Sequence, residues 1–509
     1  MATYSLELKL NTKKASDCWY LENYFREVAK ISNAVRRFAM RRIERLKRDK
    51  NYRDLLAQYI KLIKQDKEKE KETVGKELSV VVWSYGLTKF YLQKSALDLR
   101  KNLRYVHSTV YQKICDQVWK GVEKVLYADG KRMHFKKWDD FLSFEGKSNT
   151  TGIIYQDGKV YINCTPKRPN GGIILSVKLP NNKNNDHWNY ETRCLCDPTK
   201  YCRIVRKKFS SGWCYYVQLI QEGIPPQKHV RGTGRIGIDI GTSTVATVSE
   251  TACHLDVLGD SMETKEKEIR RLQRKMDRSR RATNPQNYKE DGRVKKEKKR
   301  WAYSHHYQKM RDQLKTMRRK RTASLKQWQE IYANRLLEEG DEVYVEDMSF
   351  KALKKRKKKT EKKENGRYKS KKRFGKSIGN HAPAQFLTIV KQKLDQTGGK
   401  YHEVNTRKFK ASQYDHVTDT YTRKKLTKRH HWADRDWVQR DLYSAFLLMN
   451  SNKSLEHADR DLCLLHYPSF KILHDQCIEE IIASDKHIPA SFGFHRAALR
   501  KINNNNGSS

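Results

Sequence analysis

Arg235-Ile-Gly-Ile-Asp-Ile-Gly-Thr-Ser-Thr-Val-Ala-Thr247 is the stretch on which the reading of this chain turns. Ile236, Ile238 and Ile240 alternate with Gly237, Asp239 and Gly241. A strand here buries its isoleucines on one face and carries the Asp239 carboxylate on the other, which the glycines clear. An acid so placed suits a metal ion and a phosphate.

Further along, Glu342-Val-Tyr-Val-Glu-Asp347 has the same alternation. Val343 and Val345 share one face and Tyr344 and Glu346 the other, so Glu346 is a second acid at the end of a central strand. A third is sought between 431 and 450, where Asp434, Asp436 and Asp441 compete. On a helix Asp441 shares a face with Ala445 and Leu448, and the small residue lets that face lie close to a sheet. Asp436, with Arg440 one turn on, reads as an N-cap; Asp434, before the helix, is the second choice. Taken singly, each acid is as well explained as a turn or cap residue. Together, without a histidine or cysteine nucleophile, they point to phosphodiester chemistry. Two Mg²⁺ ions about 3.5–4 Å apart, held by such oxygens, activate water and stabilise a leaving 3′ oxygen.

The rest of the chain alternates β-rich and helical regions. An opening strand with Leu6, Leu8 and Leu10 on one side precedes helical sequence from about Asp17 to Tyr127, including the stripe Val110, Ile114, Val118, Val122, Val125. From about Lys131 to Gln221 the period is that of strands, with an Asp157-Gly158 turn in one hairpin and Phe209-Ser-Ser-Gly-Trp213 turning a second. Gly223-Ile-Pro-Pro226 reads as a linker. Beyond the Asp239 strand, residues 263–339 are helical, rich in Arg and Lys, and broken at Ala282-Thr-Asn-Pro-Gln286. A lysine-rich segment follows at 351–376, then a helix opened by Pro383, a strand at Lys400–Val404, and a last helix from about Trp437 to Met449. The tail from Asn503 is expected to be disordered.

The chain has 509 residues, 107 Lys+Arg against 59 Asp+Glu and a formal net charge of +48. Length allows more than one domain. A charge so large calls for a polyanion, and nucleic acid is the expected partner. A membrane is not expected, because the sequence has no apolar run of about 18 residues and no sustained apolar face in its basic segments. With no signal peptide before Tyr4, a cytoplasmic location is expected. The ten cysteines form no regular framework and read as reduced thiols.

Gly237-Ile-Asp-Ile-Gly241, Val345-Glu-Asp347 and the Arg440-Asp441 helix resemble the three RuvC motifs of TnpB-type RNA-guided nucleases of insertion sequences and of their type V CRISPR effector relatives. Val106-His-Ser-Thr-Val-Tyr-Gln112 resembles a recognition-lobe helix of that family, and the basic helices resemble its long RuvC insertion. The resemblance implies an α/β fold plus β-barrel and helical lobe. It is bilobed, with an RNase H-like (RuvC) nuclease domain and an N-terminal wedge-like β-barrel carrying a helical recognition insertion. The implied layout begins with the first barrel strand at 1–12, the recognition lobe at 13–128 and the rest of the barrel at 129–226. The nuclease domain spans 227–406, with the basic insertion at 263–339 and the lysine-rich loop at 351–376. A target-nucleic-acid-binding module occupies 407–435, the third-motif helix 436–455 and a C-terminal segment 456–509. The implied activity is RNA-guided cleavage of double-stranded DNA beside a short protein-read motif. Guide RNA and double- and single-stranded target DNA are the implied partners, and Asp239, Glu346 and Asp441 the catalytic metal ligands.

Two departures matter. The family often carries a CxxC…CxxC zinc ribbon between its second and third acids, but this chain has no cysteine from 254 to 462. Ser412-Gln-Tyr-Asp415 stands where the family has Ser-Gln-x-Cys, so no zinc is expected. His416, His430 and His431 read as nucleic-acid contacts or packing. At the third acid, Asp441-Leu-Tyr-Ser-Ala-Phe-Leu447 replaces the commoner Asp-x-Asn-Ala-Ala.

Arg270, Arg271, Arg274, Lys275, Arg278, Arg280 and Arg281 crowd a short helical span and are expected to grip phosphates, the alternative being a solvated basic face. The run Lys354-Lys-Arg-Lys-Lys-Lys359 reads as a lid, an electrostatic tether or a nuclear localisation signal. Trp301, Tyr303, Tyr307 and Trp328 read as core, any exposed ring being able to stack a base. By the resemblance, His107, Ser108 and Gln112 reach base edges of the DNA motif; packing of that helix face is the alternative. Two other functions stay open. One is RNA-guided DNA binding without cleavage. The other is an actin-like or sugar-kinase-type ATPase built on Asp239-Ile-Gly-Thr-Ser-Thr244, although later glycine-rich nucleotide loops are not found and the net charge is then unexplained.

Overall fold

The computed structural model describes residues 2–494 apart from 66, 103–105, 128–129, 180–188, 210–211, 228, 261, 263–264, 298–299, 358, 362–363, 369–373, 424–427, 434–435 and 485–486; for 64 and 96–102 it describes backbone only. Two compact units divide the chain, Met1–Pro226 and Gln227–Ser509.

In the first unit, β1 (Thr3–Leu10) buries Tyr4, Leu6, Leu8 and Leu10 in strict alternation. Five helices follow: α1 (Ala15–Leu46), α2 (Lys50–Lys64), α3 (Glu68–Ser84), α4 (Lys89–Asn102) and α5 (Ser108–Tyr127). On α5, Val110, Ile114, Val118 and Val122 of the stripe read from sequence are buried, whereas Val125 is half-buried and Leu126 takes the last buried place. Then come β2 (Ser143–Glu145), β3 (Ile153–Gln156), β4 (Lys159–Ile162), β5 (Ile173–Lys178), α6 (Tyr190–Leu195), β6 (Thr199–Phe209) and β7 (Gly212–Glu222). Asp157 and Gly158, with φ of 50° and 71°, make the turn between β3 and β4, a backbone that glycine adopts freely. The strands form one curled sheet in the order β2-β6-β7-β1-β5-β4-β3. The first strand is thus central, flanked by strands more than 160 residues later, and the helices enter as one long insertion between β1 and β2. A ladder joining β2 to β3, which barrel closure requires, is absent among the described residues.

The second unit starts with β8 (Arg235–Ile240), β9 (Thr244–Ser249) and β10 (Cys253–Val257). A helical excursion, α7 (Glu266–Thr283) and α8 (His305–Glu338), returns to β11 (Glu342–Glu346). Next are α9 (Phe350–Lys354), α10 (Gly375–His381), α11 (Pro383–Thr397), β12 (Lys400–Val404) and α12 (Thr406–Phe409). Two short hairpins, β13 (Tyr414–Asp415) with β14 (Thr420–Tyr421) and β15 (His430–Ala433) with β16 (Asp436–Gln439), lead into α13 (Arg440–Met449) and α14 (Arg460–Ala483).

The main sheet has the order β10-β9-β8-β11-β12, in which β9 alone runs against the other four strands. Its faces bury different sets. Ile236, Ile238, Ile240, Val343 and Val345 pack with Ala333, Leu336 and Leu337 of α8 and Phe386, Val390 and Leu394 of α11. Ala246, Val248, Tyr344 and Val404, on the other face, pack with α13 and α14. The result is a helix–sheet–helix sandwich.

Three sequence readings are corrected here. The 431–450 region does not form a helix from Trp437, because residues 436–439 pair with 430–433 and Gln439 caps a helix that starts at Arg440. Asp436 is therefore a strand residue, not an N-cap. Nor is α13 the last helix. α14 follows, its Cys463, Phe470, His474, Cys477 and Ile478 buried at helical spacing despite Pro468.

Candidate functional site

Asp239 is carried by the central strand of the main sheet. Across its parallel neighbour, Ile238 pairs with Val345, which puts Glu346 alongside at the end of β11. On the same face lies α13, seated directly on β8: a Cβ added to Gly237 would meet the Ala445 carbonyl oxygen at 1.8 Å and the Met449 nitrogen at 2.5 Å. Two strand residues, Gly237 to Asp239, advance about 6.6 Å. One helical turn back from Ala445 to Asp441 covers about 6 Å. The matched steps bring Asp441 to Asp239.

Electrostatics report the same meeting. Burial holds the Asp239 carboxyl well above its ordinary range, and the negative charges of Asp441 and then Glu346 push it the same way, opposed by Arg440 and Arg429. Glu346 is pushed up to about 7 by burial, partly offset by a hydrogen bond from the Ala411 backbone. Asp441 Oδ1 lies 3.5 Å from Arg440 Nη2 and 3.7 Å from Arg429 Nη1. Asp434, the other candidate for the third acid, lies outside the described residues.

The Asp441 turn is held by polar groups that the sequence reading missed. Leu442 N donates to Gln439 Oε1 at 2.7 Å, capping α13. Gln439 N in turn donates to His474 Nε2 at 2.9 Å, while His474 Nδ1 meets Asp475 at 2.8 Å. Burial keeps the His474 imidazole below its ordinary range, consistent with an accepting Nε2. The one signal was the Gln439-Arg-Asp-Leu442 spacing of a cap to the third helical nitrogen; nothing local pointed to His474.

Three half-buried carboxylates, their charge only partly offset by Arg440 and Arg429, offer the oxygen donors that a hard divalent cation takes. The carboxylates are not drawn together into a ligand cage, however: among the described residues no group of three or more His, Cys, Asp or Glu is set to hold a metal ion. His416 and His431 are buried and engaged, His416 Nδ1 with Tyr443 Oη at 2.7 Å and His431 Nε2 with Asp415 at 3.5 Å. His430 stacks at 6.5 Å on Trp437.

The basic candidates on α7 are sorted by their neighbours. Arg270 is tied to Glu266 at 3.0 Å, and Arg280 and Arg281 to Asp277 at 2.7 and 2.9 Å. Arg271, Arg274, Lys275 and Arg278, at i, i+3, i+4 and i+7, form one exposed stripe with no ion pair among the described residues. Opposite it, Ile269, Leu272 and Met276 pack with Tyr307, Met310 and Leu314 of α8. Trp301 packs against Tyr288 and under Arg280, and Trp328 stacks on Tyr332; Tyr303, stacked on Tyr307, is 41 % exposed. The lysine run at 354–359 includes Lys358, outside the described residues.

In the first unit His107 lies just before α5, its Nδ1 at 3.0 Å from Thr109 Oγ1 and its ring against Gly152. Ser108 and Gln112 are half-buried and share a helix face one turn apart. No helix among the described residues is long and apolar enough to cross a membrane.

No family model matches the chain, and no curated protein matches it. Among solved structures it is similar to a CRISPR-Cas12f ternary complex at 13% identity, covering 86% of this chain and 82% of that one with a TM-score of 0.25. A Cas12f1–sgRNA–target DNA complex matches at 13%, covering 88% and 99%, with a TM-score of 0.25. A Cas12i–crRNA–dsDNA complex matches at 12%, covering 73% and 57%, with a TM-score of 0.27. The chain is thus similar to Cas12 proteins, two of them captured with RNA and DNA.

Proposed function

We propose that this chain is an RNA-guided DNA endonuclease that hydrolyses target DNA with Asp239, Glu346 and Asp441 as its Mg²⁺-holding carboxylates, beside a short DNA motif met by the His107, Ser108 and Gln112 face. One observation carries the reading: a half-buried acid on the central strand has two further carboxylates close enough to raise its pKa, from the neighbouring strand and from a helix seated on the same face. The divalent cations would supply charge neutralisation and water activation at these oxygens. The chain's own residues do the rest. Gly237 and Ala445 fix the spacing of Asp239 and Asp441, the Gln439 cap fixes the turn that carries Asp441, and Ala411 orients Glu346. The stripe Arg271, Arg274, Lys275 and Arg278 offers cations to a nucleic-acid backbone, and a net charge of +48 gives the reason for a polyanionic partner. Sequence choice by a paired RNA accounts for many phosphate contacts and few base readers.

A second reading has its own support. Carboxylates that meet electrostatically without forming a metal cage fit a protein that is guided by RNA to DNA and stays bound without cutting it.

One experiment separates them. RNA copurifying with the protein is sequenced, and the complex is offered a matching duplex with Mg²⁺ or with EDTA. The nuclease reading expects one structured RNA with a variable end and cleavage only with Mg²⁺. Matching binding without cleavage supports the second reading, and heterogeneous cellular RNA sinks both.

A further inference from the structure

Where α7, α8 and α10 meet there is a pocket of about 470 Å³ lined by Arg270, Arg318, Arg321 and Lys376, with Gln273 and Asn380 as further polar groups. A single carboxylate, Glu266, lines it. Glu266 receives Lys376 Nζ and Arg270 Nη2 at 3.0 Å each and Asn380 Nδ2 at 2.7 Å. These donors hold its carboxyl below the ordinary range, the Lys376 hydrogen bond being the largest cause. On the α8 wall, Arg318 and Arg321 have no carboxylate partner among the described residues; Arg321 donates only to the Asn380 carbonyl at 3.5 Å. Four cations facing one anion leave room for another.

We infer that this pocket is a phosphodiester-binding site, in which Arg318 and Arg321 take the oxygens of a nucleic-acid phosphate and Glu266 holds the remaining cations in place until it arrives. Guanidinium groups match phosphate oxygens in pairs, which lysines on an open face do not. Position favours nucleic acid over an acidic peptide. At about 100° per residue, Glu266, Arg270 and Gln273 lie on α7 between its apolar seam and the stripe Arg271, Arg274, Lys275, Arg278. A backbone running along the stripe passes the mouth of the pocket. The far side is joined to the candidate active site, since Ser377 of α10 donates to the Thr242 carbonyl oxygen at 3.1 Å, three residues beyond Asp239.

The inference rests on the nucleic-acid reading above, and the test keeps the two apart. Binding of the full chain to fluorescent 30-mer oligo-dT and oligo-U is followed by anisotropy across a NaCl series. Arg318→Gln/Arg321→Gln is expected to weaken binding about tenfold and to lower the log–log salt slope by about 0.7 for each phosphate lost. Lys13→Gln/Lys14→Gln, of equal charge change in the first unit, leaves the slope nearer the parent's. Glu266→Gln is expected to tighten binding more than Glu290→Gln, an exposed acid outside the pocket. Loss on DNA alone, on RNA alone or on both assigns the strand that supplies the phosphate. Where the double variant does not fold, Arg318→Gln alone is read, since its side chain makes no ion pair among the described residues. Pocket and control variants behaving alike overturns the site and leaves the nucleic-acid reading standing. A parent that binds neither oligonucleotide overturns both.

Discussion

Gly237 and Ala445 touch backbone to backbone, with no space between strand and helix for a methyl group. Gly237→Ala is therefore expected to push α13 off β8, lowering stability by about 1–3 kcal/mol, the range for overpacking a core, and separating Asp239 from Asp441. Thermal melts and cleavage assays check it: a Gly237→Ala protein with parental Tm and parental cutting would show that the contact does not set the site.

The acids themselves act differently. Asp239→Ala, Glu346→Ala and Asp441→Ala are each expected to reduce cleavage about a thousandfold or more, as for members of a unit that acts together, while RNA and target binding stay near parental. Gel assays with a matching duplex and separate binding titrations read both quantities. Retained cutting in Asp441→Ala with loss in Asp434→Ala would transfer the third role to Asp434.

Metal-free stability should depend on pH through Glu346. Its carboxyl, pushed up to about 7 in the folded chain, titrates near about 4.3 when unfolded. The native state then holds a proton that the unfolded chain has released. The associated stability is full below the unfolded value and is lost as pH rises through about 7. Asp239 shifts in the same direction. In EDTA the parent should melt lower at pH 8 than at pH 5.5, and Glu346→Gln should flatten the difference. Identical pH profiles for the two proteins would count against a strained Glu346.

Removing the stripe by Arg271→Gln, Arg274→Gln, Lys275→Gln and Arg278→Gln together is expected to lower the salt slope on duplex nucleic acid by about 3.6, at about 0.9 per phosphate. Arg281→Gln, whose side chain is bound to Asp277, should change it little. Equal effects per residue would mean that the face is undifferentiated.

The strands bearing the first two acids were legible because period-two alternation, of isoleucine against glycine and Asp239 in one and of valine against Tyr344 and Glu346 in the other, is a local pattern, and so was the small residue one turn after Asp441. The α13 start was not, since Trp437 and Val438 pair in a hairpin with Trp432 and His431, a partnership that helical spacing does not reveal. α14 lies in what the sequence reading gives only as a C-terminal segment, although its buried residues keep a helical period through Pro468. The seven basic residues from Arg270 to Arg281 look alike in sequence. Only two carboxylates of the helix itself, Glu266 and Asp277, divide those held internally from those offered outward.

The docking of α13 has one more consequence. Nine of its residues are buried, so the helix that carries Asp441 is held by packing over most of its length to the sheet that carries Asp239. Glu346 ends the strand paired to β8 and is touched in addition by the 405–411 connection, through a hydrogen bond from the Ala411 backbone. Variants that speed or slow the chemistry without unfolding the protein are thus to be sought around that connection. Positions that hold the helix to the strand will give proteins that either keep the site whole or lose it altogether.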